Sequence, residues 1–88
     1  MEYYQIIANR IARLCKERSL SINMLAKMSN MRQSTIDNIM HGNSKNPGVQ
    51  TLHKIALTFN MTIAEFLNFP ELNDYSFDDD SEDDLLEE

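Results

Sequence analysis

The sequence predicts an all-α fold: a compact five-helix body over residues 1–70, followed by an acidic disordered tail over residues 71–88. Three observations carry this reading. Apolar residues in the body recur at three- and four-residue intervals, and no five-residue stretch alternates as a half-buried strand would. Helix start and stop residues punctuate that pattern at Ser21, Gly42 and Thr62. Charge is partitioned as well. The body holds all eight basic residues (Arg10, Arg13, Lys16, Arg18, Lys27, Arg32, Lys45 and Lys54) and four acids (Glu2, Glu17, Asp37 and Glu65), a balance of +4. The tail holds ten acids and no Lys or Arg, so the net charge of −6 averages two unlike segments.

The first helix is expected from about Glu2 to Arg18, burying Ile7, Ile11, Leu14 and Cys15 and leaving Arg10, Arg13 and Glu17 outside. The second starts after Ser21, a good N-cap, with Leu20 and Leu25 forming a hydrophobic staple, and ends near Met28. After the turn Ser29-Asn30-Met31, the third runs from Arg32 or Gln33 to His41 and buries Ile36, Ile39 and Met40. Gly42 stops it. The fourth follows the turn-rich loop of residues 42–48, with Gly48 as N-cap and Leu52, Ile55, Ala56 and Phe59 inside. The fifth opens on the capping box Thr62-x-x-Glu65, stapled by Met61 and Phe66. Pro70 marks the expected boundary, because a residue before proline is pushed out of helical geometry. Beyond it, mutually repelling carboxylates with few apolar residues cannot offset the entropy of ordering.

Eighty-eight residues suit one small domain. One cysteine rules out an intramolecular disulfide, and two widely spaced histidines give no metal-ligand spacing; no metal or other cofactor is expected. No nucleophile-base pair or phosphate loop is present, so the chain is not expected to be an enzyme. No segment reaches the roughly 20 apolar residues of a membrane span, and the N-terminus lacks a secretory pattern, so a cytoplasmic location is expected.

Two helices of seven to nine residues joined by a short turn have the geometry that lays the second helix in a DNA major groove. Linked residues sharpen that signal: Leu25-Ala26, Asn30-Met31, Ser34-Thr35-Ile36, Gly42, Asn46-Pro47, Thr51-Leu52, Ile55-Ala56 and Met61-Thr62-Ile63-x-x-Phe66-Leu67. Together they resemble the lambda-repressor-like, Cro/cI-type (XRE) helix-turn-helix family over roughly residues 5–67. Ala26 is small where the two helices approach, and Asn30 suits a left-handed turn position. The sequence departs from the family at Ile22, where a phosphate-gripping Gln is frequent. It departs again at Cys15 and Met40, where a buried Arg–Glu pair is frequent. Both partners of that pair are apolar here, which leaves no orphan charge.

The resemblance implies sequence-specific binding of double-stranded DNA and transcriptional regulation. With no ligand or activation domain in these residues, repression is the expected mode. With Ile36 set at zero and helical advance per residue, Ser34 and Asn38 fall at roughly 160° and 200°, opposite the buried side, and Gln33 sits at the N-terminal tip. Gln33, Ser34 and Asn38 are therefore the expected base contacts. Ser21, Lys27, Arg32, Asn43, Ser44 and Lys45 are the expected phosphate contacts, with Arg10 or Arg13 as additions. A two-fold operator would call for a homodimer, with the fifth helix and Phe69-Pro70 as candidate surface. The alternative is a protein-interaction module such as an antitoxin or accessory subunit, its tail engaging a basic partner through Tyr75, Phe77, Leu85 and Leu86. The tail could also dock on the cationic body in place of phosphate.

Overall fold

The computed structural model describes residues 2–78, and all its regular elements are helices. They are α1 (Tyr3–Glu17), α2 (Ile22–Met28), α3 (Gln33–Met40), α4 (Val49–Thr58), α5 (Ile63–Leu67) and α6 (Pro70–Asn73). The starts follow the sequence code. The Ser21 hydroxyl accepts from Met24 N at 3.0 Å, and the Thr62–Glu65 box closes in both directions, at 3.0 and 2.8 Å. Gly48 is the N-cap of α4.

Helix ends share one device. Ser19, Asn30 and Asn60 take positive φ of 55°, 59° and 62° immediately after α1, α2 and α4 are capped. The next residue then donates back across the last turn: Leu20 N to Cys15 O at 2.8 Å, and Met31 N to Ala26 O and Met61 N to Ala56 O, both at 2.9 Å. These are Schellman closures, in which the residue after the left-handed one is apolar and folds onto the helix it ends. Leu20, Met31 and Met61 duly pack against the core. Three otherwise loose connections become fixed corners, and the Asn30 corner sets the angle between α2 and α3.

The core draws on α1 through α5. Ile11, Leu25, Ile36, Ile55 and Phe66 are fully buried, with Leu14, Cys15, Ala26, Ile39 and Phe59 around them. α3 packs on both α1 and α2, and α4 on α2 and α5. Burial of Cys15 pushes its thiol pKa up, with nearby Arg18 pulling weakly the other way. The side chain is a packing residue rather than an activated nucleophile.

The body does not end at Pro70. Phe69 is extended (φ −147°, ψ 151°), as a residue before proline must be, yet Pro70 itself opens α6. The expectation of disorder from residue 71 is therefore corrected for residues 71–78; residues 79–88, with Leu85 and Leu86, lie outside the described residues. α6 packs on α1, where Glu71 meets Arg13 at 3.6 Å and Leu72 joins the core edge. Tyr3, Tyr75 and Phe77 then form a ring cluster with centroids 4.9 to 5.4 Å apart. Two of the four expected tail anchors, Tyr75 and Phe77, are thus used inside the chain. Phe69 is 3 % exposed, so it belongs to the core and not to a dimer surface.

Arg10 is the second correction. Its Nε and Nη2 donate to Phe66 O and Glu65 O, both at 3.0 Å, and its guanidinium lies 4.8 Å from the Phe69 ring centroid. It closes the C-terminal end of α5, where the carbonyls of the last turn favour a cation. Partial burial lowers its pKa, with Arg13 adding to that and Glu17 opposing it. Arg10→Met keeps the aliphatic stem but removes both donors. It should cost about 1 to 2 kcal/mol in urea denaturation; an unchanged midpoint would contradict this role.

Candidate nucleic-acid interface

α3 is built to be held from one side. Ile36 and Ile39 are 0 % and 2 % exposed, while Ser34 and Asn38, on the opposite side, are exposed. The expected base-contacting residues thus share the outer surface of one short helix, and Gln33 is half-buried in its first turn. Gln33 is not free: its Nε2 donates to Asp37 Oδ1 at 3.0 Å, one helical turn on. Arg32, in extended geometry at the N-cap, makes no side-chain cap bond, and its side chain is exposed.

The segment after α3 is locked to that helix. Gly42 takes φ of 81°, and a Cβ there would collide with the ring of Tyr4, so α1 presses directly on the corner. The return bond is displaced by one residue relative to the other corners. Ser44 N, not Asn43 N, donates to the carbonyl of Asn38 at 3.0 Å. Asn38 and Ser44, with Thr35, Asn46, Pro47 and Thr51, line one shallow open cleft of about 190 Å³ between α3 and the start of α4. Asn43 and Lys45 are exposed on the same loop. The structure therefore brings together the end of the expected base-reading helix and the loop expected to hold phosphate.

Other expected phosphate contacts stand apart. Ser21 caps α2 while Lys27 occupies its last turn, and six residues of helical rise separate them by about 9 Å. They stand at opposite ends of α2. Arg10 uses two of its donors at the end of α5, whereas Arg13 meets Glu71 only across an exposed surface contact. His41, at the C-cap of α3, is exposed. The feature of this helix that the sequence pattern left unread is the bond from Gln33 to Asp37. Their four-residue spacing is the signal that could have found it, because such pairs are neighbours on a helix.

Among the described residues there is no group of His, Cys, Asp and Glu that could hold a metal ion, and no helix long and apolar enough to cross a membrane.

Comparison with known proteins agrees with this geometry. The crystal structure of the prophage Lp1 protein 11 superposes with a TM-score of 0.75 at 27% sequence identity, covering 83% of this chain and 97% of that one. The crystal structure of an HTH_3 family transcriptional regulator from Vibrio cholerae superposes with a TM-score of 0.69 at 32% identity, over 89% of this chain. The match takes in 45% of the Vibrio cholerae protein, so this chain spans less than half its length. No curated protein matches the chain. A model of the Cro/C1-type HTH DNA-binding domain matches residues 10–71, which run from the middle of α1 into α6 and include the whole α2–α3 pair. The fold, the turn at Asn30 and this match agree: the chain belongs to the Cro/C1-type helix-turn-helix DNA-binding domain family.

Proposed function

We propose that the chain binds double-stranded DNA sequence-specifically with α3 in the major groove, and that it regulates transcription as a repressor by occupying its site. The carrying observation is the outer face of α3: Ser34 and Asn38 exposed, Gln33 at the first turn, and the opposite side fixed by Ile36 and Ile39. A helix held this way presents short polar side chains without cost to the core. Gln33 and Asn38 each offer an amide oxygen to accept from adenine N6 and an amide nitrogen to donate to adenine N7, and Ser34 serves a base or phosphate. Asn43, Ser44 and Lys45 follow the adjoining strand of phosphates, while Arg32, Ser21 and Lys27 flank the groove along α2 and the turn. A two-fold operator would seat two copies of the chain, with half-sites about one helical turn apart.

The test separates reading from holding. Gln33→Ala should relax preference at one base pair by about 1 to 3 kcal/mol while changing the salt slope little. Lys45→Ala should weaken all duplexes alike and flatten the slope by about one unit. Both would be read by competition binding across a salt series. Uniform weakening by Gln33→Ala would contradict its assigned role.

A further inference from the structure

We infer that Asp37 is a positioning residue that makes Gln33 selective for adenine over guanine. The inference rests on the reading of Gln33 as a base contact given above.

A glutamine amide is ambiguous in isolation. Turned one way it presents an acceptor beside a donor; rotated by half a turn about its last bond, it exchanges them. Adenine offers a donor at N6 and an acceptor at N7, whereas guanine offers acceptors at both O6 and N7. A freely turning Gln can therefore satisfy adenine with both atoms, or guanine through its amide nitrogen. Asp37 removes that freedom. An ionised carboxylate only accepts, so the 3.0 Å contact between its Oδ1 and Gln33 fixes nitrogen as the end turned toward residue 37. An amide nitrogen carries two hydrogens. The one pointing away from Oε1 suffices for Asp37, leaving Oε1 and the other hydrogen as the adjacent acceptor and donor that match adenine. Guanine would set its O6 against Oε1, acceptor against acceptor.

The choice of Asp at this place is otherwise costly. Asp37 and Glu17 are among only four acids in the first seventy residues, and Asp37 alone lies on α3, the helix proposed to approach phosphates. It makes no ion pair with a basic side chain among the described residues. Loss of general affinity in exchange for discrimination is the trade that a specificity element makes.

The test is competition binding on a duplex selected by the full chain, compared with the same duplex carrying G·C at the A·T pair whose preference Gln33→Ala relaxes. The wild-type protein should favour the A·T duplex by roughly tenfold or more. Asp37→Ala and Asp37→Asn should each lower that ratio several-fold, Asn because its amide both donates and accepts. Asp37→Ala should also bind unrelated duplexes more tightly, since a charge facing phosphate is gone. In a Gln33→Ala background, Asp37→Ala should leave the ratio where Gln33→Ala put it. If Gln33→Ala lowers the ratio and both Asp37 variants keep the wild-type value, Asp37 has no positioning role. Equal weakening on every duplex, with a lowered melting temperature, would make Asp37 a purely structural residue and overturn the inference as well. If Gln33→Ala changes preference at no position, the reading of Gln33 fails, and the role of Asp37 falls with it.

Discussion

Gly42→Ala is expected to destabilise the fold by about 2 to 4 kcal/mol, because two independent costs meet at that corner. The backbone at residue 42 has φ of 81°, which an L side chain adopts only at a penalty of about 1 to 2 kcal/mol. A Cβ would also run into the ring of Tyr4, whose displacement would disturb the packing of α1 on α3. The two terms separate in a double variant. With Tyr4→Ala already present, Gly42→Ala should cost only the backbone term. Urea denaturation of the four proteins would measure this. A full cost in the Tyr4→Ala background would show that the ring plays no part. The consequence for binding follows from position: Gly42 joins α3 to the Asn43–Lys45 loop, so affinity for all duplexes should fall with it.

Phe66→Ala should have a still larger effect, about 3 to 5 kcal/mol, the usual range for deleting a buried aromatic ring. Phe66 is 0 % exposed and anchors α5, a helix of only five residues that could not persist alone. The same residue supplies the carbonyl that Arg10 Nε meets, and its ring lies 5.9 Å from the guanidinium. Truncation to Ala keeps that carbonyl but removes the ring beneath the guanidinium, so the α1–α5 contact should loosen as a cavity opens. For a domain of this size, with a total stability of order 5 to 15 kcal/mol, that loss is a large fraction of the whole. Thermal unfolding should show it as a much lower midpoint; a change under about 1 kcal/mol would mean that α5 is not integral to the core.

The first five helices were legible because their instructions are local. Ser21, Gly48 and the Thr62–Glu65 box mark starts, and apolar spacing identifies the buried sides. The left-handed turn at Asn30 was legible for the same reason, and Asn60 carries an equal signal. α6 was not, because proline carries two meanings. It disfavours helix in the residue before it and favours helix starting at itself, and Phe69-Pro70 shows both at once. Ten carboxylates among eighteen residues read as a tail whose Tyr75 and Phe77 would anchor another molecule, because their actual partner, Tyr3 on α1, lies some seventy positions away in the chain.

Arg10 illustrates the limit of periodicity in the site. Its place outside the apolar stripe of α1 was right, yet its partners are carbonyls 55 and 56 residues away, which no local rule reveals. The outer face of α3 was different. Ser34 and Asn38 fall where the helical advance puts them, because the geometry of eight residues pinned by Ile36 and Ile39 leaves no other choice. The four-residue spacing of Gln33 and Asp37 makes them neighbours in the sequence pattern, but which amide atom meets the carboxylate emerges only with the side chains in place.

The most direct test of DNA reading by α3 is selection from a pool of random duplexes by the full chain at low salt. Enrichment of a short common sequence, with one position flattened when Gln33→Ala is used in the same selection, is the expected result. Recovery of duplexes with no shared sequence, indistinguishable between the two proteins, would contradict it.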